Sequence, residues 1–86
     1  MSELKDAVWE YIDVIARIGD GSLAAQVGEQ RRRTLHGEIL SLTGLSTFEF
    51  GGLPFWYKIE NTDRAARRLY LALMKQVREK GKHHDD

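Results

Sequence analysis

Arg64, Arg67, Arg68, Lys75 and Arg78 recur at spacings that place them on one side of a helix, opposite Ala66, Leu69, Tyr70, Leu73 and Val77. Five cations in a row can neutralise successive phosphates or meet an acidic protein surface. Leu71 changes the balance between these two chemistries. At about 100° per residue it points about 160° away from Leu73, into the middle of the positive face, with Met74 at its margin. An apolar centre within a charged rim is the anatomy of a protein contact. Arg64, Arg67, Arg68, Leu71, Lys75 and Arg78 are therefore the candidate partner-binding residues, with nucleic acid as the second reading of the same face.

Arg31-Arg32-Arg33 is the other run of cations. A helix spreads three consecutive side chains over about 200°, so they do not form one patch. Arg31 and Arg32 flank the inner positions Gly28, Leu35 and Ile39, while Arg33 points outward. Arg31 and Arg32 are candidate anion-binding residues. The competing reading is that their stems cover apolar surface and their heads pair with Glu38 or an acid of the first helix.

Other chemistry is poorly supplied. There is no cysteine, so thiol nucleophiles, disulfides and cysteine-based zinc sites are excluded. His36 has Leu40, not a ligand, at the helical i+4 position, and His83-His84-Asp85-Asp86 lies at the chain end without surroundings to fix a metal. No metal or cofactor is expected. No serine or threonine has a His and carboxylate set to activate it, and Gly51-Gly52 is too short for a phosphate loop. The chain is read as non-catalytic. The aromatics from Phe48 to Tyr57 are accompanied by a single cation, Lys58, just after them, which suits core or subunit packing better than base stacking.

The elements that must carry these residues follow from periodicity. Leu4, Val8, Tyr11, Ile12, Ile15 and Ile18 share one face of a helix over about 3–18, ending at Gly19-Asp20-Gly21. A second helix over about 22–43 has Ala24, Val27, Leu35, Ile39 and Leu42 on its inner side and Gly44 as its stop. Gly28 and Gly37 lie within it: Gly28 on the inner stripe invites a close neighbour, and Gly37 is where the helix is most at risk of breaking. Strand-forming aromatics around Gly51-Gly52-Leu53-Pro54 predict a short β-hairpin or an aromatic loop at about 46–59. Asn61, Thr62 and Asp63 can cap a third helix over about 63–80, with Gly81 as its stop and 83–86 as a frayed polar tail.

The expected fold of this 86-residue chain is mainly α: a single domain spanning 1–82, with three helices and the aromatic segment packed on them. A core this small without staples favours a homo-oligomer. Zero net charge conceals an asymmetry. Residues 1–19 carry two basic against four acidic side chains, a net of −2, and residues 63–86 carry seven against four, a net of +3. Such ends can attract each other within a fold or between two copies. No apolar run approaches the roughly 18 residues that cross a bilayer, and a cytoplasmic protein without membrane contact is expected. Together these features predict a small regulatory or adaptor protein working through protein contacts.

Overall fold

The computed structural model describes residues 3–48 and 61–84 and contains three helices, α1 (Glu3–Asp20), α2 (Ala25–Thr43) and α3 (Thr62–His84), with no strand among the described residues. The chain is mainly helical. Among these helices α1 is the common partner, packing against both α2 and α3. Its expected stripe is the heart of the core: Val8, Tyr11, Ile12 and Ile15 are buried, with Ala7 and Val14 beside them. They meet Leu35 and Ile39 from α2, Ala65, Ala66, Leu69 and Leu73 from α3, and Phe48.

The α1–α2 turn explains why α2 starts at Ala25 and not near residue 22. Gly21 takes a left-handed φ of 82°, open to glycine at no steric cost. Its N–H donates to the Ile18 carbonyl at 3.3 Å, as in a Schellman cap. Ser22 N–H donates to Asp20 Oδ1 at 2.8 Å, so Leu23 N–H takes the Arg17 carbonyl instead. The two Ser22 hydrogen bonds hold the Asp20 carboxyl below its ordinary pKa. Residues 21–23 thus belong to the end of α1, which itself runs two residues beyond the expected 18.

α2 is continuous through Gly37 and stops where expected, with Gly44 at φ 73° and its N–H on the Leu40 carbonyl. Its inner side is narrower than the sequence suggests. Gly28, Leu35 and Ile39 are buried, but Val27 is 58% and Leu42 43% exposed, and Ala24 is exposed as well. The physical reason is that, among the described residues, α2 has one extensive helix partner, α1, which covers only a thin stripe. At Gly28 the two helices pack closely: a Cβ there would sit 2.5 Å from Ile18 Cγ1.

Asn61 is the cap of α3. Its Oδ1 accepts from Arg64 N–H at 3.0 Å, an arrangement worth about 1 kcal/mol. α3 does not stop at Gly81. It continues to His84, so the first half of the expected tail is helical. Glycine ends a helix by adopting positive φ, and among the described residues only Gly21 and Gly44 do so. The expected aromatic hairpin or loop at 46–59 lies outside the described residues except for 46–48, which form no strand.

Candidate interaction surface

α3 presents two faces because α1 covers only one. Ala66, Leu69 and Leu73 have no exposure, and Tyr70 and Val77 are half-buried. On the other side Arg64, Arg67, Arg68, Leu71, Lys75 and Arg78 are all exposed, so the structure brings the six together on one surface. Leu71 is 61% exposed at its centre, flanked by Met74 at 37%. Arg67 is partly engaged, its guanidinium 3.5 Å from Asp63, whose other oxygen accepts from the Trp9 indole at 2.9 Å. Trp9 also packs edge-on against Tyr70 and carries Lys5 over its ring. Among the described residues no carboxylate pairs with Arg64, Arg68, Lys75 or Arg78. Among the described residues, then, the acids of α1 leave these four cations unneutralised.

Arg31 and Arg32 sit at the α1–α2 seam, each facing a carboxylate. Arg31 pairs with Glu10 of α1. Arg32, the more covered of the two, donates to both oxygens of Glu29 and, at 3.4 Å, to the Tyr11 hydroxyl. That hydrogen bond from Arg32 holds Glu29 below its ordinary carboxylate pKa. Burial raises the Tyr11 phenol, with Arg32 opposing. An anion would have to displace Glu10 or Glu29 to reach either guanidinium. Arg33 points outward, as the helical angles require, with Glu29 at 3.7 Å.

His36 packs with the core. Its ring stacks on Phe48 at 4.5 Å, and Phe48 meets Tyr11 edge-on at 5.9 Å. Phe48 is buried, in keeping with a packing use of the aromatics. No metal-holding cluster of His, Cys, Asp or Glu occurs among the described residues, and none of the helices there is long and apolar enough to cross a membrane.

Comparison with protein-family models, curated proteins and solved structures finds no match. The site is thus read from its own geometry.

One feature of that geometry was hidden in the sequence. Glu3, Asp6 and Glu10 of α1 line a groove with Glu38 and Leu42 of α2, over a floor that includes Leu35, with a volume of about 410 Å³. The i, i+3, i+7 spacing of the three α1 acids is legible in the chain. Their approach to Glu38 and Leu42 depends on the α1–α2 packing.

His36 also makes stability depend on pH. Burial first, and the Arg32 charge second, hold its pKa below the ordinary 6.5. The unfolded chain therefore takes up a proton before the folded one does as the pH falls from about 7. Stability is fully expressed above the unfolded value and declines as the pH drops through 6.5 toward the folded pKa. A His36→Gln variant should lose part of the decline in melting temperature between pH 7 and pH 5. An unchanged pH profile would show that His36 does not contribute.

Proposed function

We propose that this is a small non-catalytic regulatory or adaptor protein that binds protein surfaces with the outer face of α3, working as a homo-oligomer. The observation that carries this reading is Leu71, 61% exposed among cations of which Arg64, Arg68, Lys75 and Arg78 have no carboxylate partner among the described residues. Desolvating an exposed leucine favours binding, and a rim of arginines selects an acidic counterpart and speeds encounter. A face built only to follow phosphates would gain from a cation at position 71, since counterion release draws nothing from an apolar side chain.

The test places a photo-cross-linking amino acid at position 71 in the native host. The expected result is a discrete protein adduct that survives nuclease treatment and is lost when Arg68 and Lys75 are reversed to Glu. Adducts that vanish with nuclease, together with steeply salt-dependent binding to duplex or single strands, would transfer the face to nucleic acid. No adduct of either kind would remove the reading. Leu71→Asp should abolish partner binding while helicity and melting temperature stay unchanged, because the side chain already faces water.

A further inference from the structure

The α1–α2 groove and the α3 face are complementary. Glu3, Asp6 and Glu38 are exposed around the groove, and among the described residues none of them has a cationic partner; Glu10, at one end, is already paired with Arg31. The groove also has an apolar part, with Leu35 buried in its floor and Leu42 43% exposed at its edge. The α3 face has the opposite sign in the same layout: Leu71 and Met74 at the centre, with Arg64, Arg68, Lys75 and Arg78 around them.

The lengths also agree. Glu3 to Glu10 spans eight residues of α1, and Arg68 to Lys75 spans eight residues of α3, each about 10 Å of helix axis. Leu71 lies near the middle of the second span. An amphipathic helix laid in an apolar groove is a recurrent mode of recognition, in which one or two apolar anchors supply affinity and the flanking charges set orientation.

We propose that the partner of the α3 face is a second copy of this chain, whose α1–α2 groove receives Leu71 while its Glu3, Asp6 and Glu38 meet the cations around it. This rests on the reading of α3 as a protein-binding face and names its occupant. Stripe and groove are different patches of one protomer, so copies join either reciprocally, as a two-fold dimer in which each groove receives the other's stripe, or head-to-tail, as a ring or an extending chain. The two ends of the chain, acidic and basic, thereby neutralise each other between copies.

The experiment measures mass by sedimentation velocity for the full chain and two charge-reversed variants, alone and mixed. One variant carries Arg68→Glu with Lys75→Glu; the other carries Asp6→Lys with Glu38→Lys. The native chain should associate at low ionic strength and return toward monomer at 1 M salt, where the screening length falls to about 3 Å. Each variant alone should be monomeric, since its two reversals remove the attraction at the centre of the contact and set like charges opposite one another there. An equimolar mixture should associate again, because the intact stripe of the groove variant meets the intact groove of the stripe variant, and the reversed positions oppose each other with opposite signs. Far-UV circular dichroism confirms that each variant is folded before mixing.

A native chain that stays monomeric at low salt, variants that associate as the native chain does, or a mixture that stays monomeric would each overturn the proposal. These failures are separable from failure of the broader reading. A cross-link from position 71 to a different protein, with the native chain monomeric, would retain α3 as a binding face and exclude self-docking. Absence of any cross-link would remove both.

Discussion

Replacing Leu73 with alanine should lower the unfolding free energy by about 3 kcal/mol, whereas Leu71→Ala, two residues away, should change it by less than about 0.5 kcal/mol. Leu73 has no solvent exposure, and Leu71 is 61% exposed on the same helix. Truncating a buried leucine loses its transfer free energy and leaves a cavity that the surroundings fill only in part. Domains of this size are stable by about 5–15 kcal/mol, so the loss at position 73 is a large fraction of the whole. Chemical denaturation of both variants in urea at 1 M salt and low protein concentration, where self-association does not add to stability, measures the contrast. A loss at Leu71→Ala comparable to that at Leu73→Ala would mean that position 71 is covered in the folded monomer, and the binding face would go with it.

Gly28→Val should destabilise the protein by about 3 kcal/mol, toward the upper end of the usual cost of overpacking. Even the Cβ would stand 2.5 Å from Ile18 Cγ1 and 2.8 Å from Ile18 Cδ1, and 3.1 Å from Leu23 Cδ2. The Cγ1 contact is near the branched root of the isoleucine, so changing a terminal rotamer does not relieve it. The α1–α2 seam must open, and that seam holds Arg31 to Glu10 and Arg32 to Tyr11. Gly37 has no atom within 4 Å of its Cβ position. Gly37→Ala should therefore stabilise α2 by up to about 1 kcal/mol, the ordinary gain from removing a helical glycine. Thermal melts of the two variants should move in opposite directions. Equal shifts would deny that Gly28 is there to let the helices approach.

The two glycines show why sequence reading succeeds unevenly. Both weaken α2 by the same intrinsic amount, and only their phase on the helix separated them: Gly28 on the inner stripe, Gly37 off it. Phase was sufficient for Gly28. It was insufficient for Val27 and Leu42, which seemed inner by spacing and are exposed, because the width of the buried stripe depends on how many neighbours a helix has. The stop at Gly81 failed for a related reason. Glycine permits a left-handed residue without imposing one, and at Gly44 and Gly81 the chain chose differently.

The candidate face on α3 was legible because it lies within one helix. Arg64, Arg67, Arg68, Leu71, Lys75 and Arg78 are placed by 3.6-residue geometry alone, and tertiary packing had only to cover the opposite side. The groove across α1 and α2 was not legible, since Glu38 and Leu42 are about 30 residues from the α1 acids they join. Of the acids expected to meet Arg31 and Arg32, Glu38 or one on the first helix, the seam brings Glu10 to Arg31, whereas Arg32 pairs with Glu29, one turn away on its own helix.

By itself, then, the amino-acid sequence determined the three helices, most of their buried stripes, the turn at Gly21, the stop at Gly44 and the two faces of α3, because each depends on contacts within a few residues. The tertiary structure alone decided that Arg31 meets Glu10, which apolar side chains stay in water, and that an acidic groove with an apolar floor exists. Those outcomes depend on which helices become neighbours, and an exposed or buried fate belongs to the pair, not to either helix.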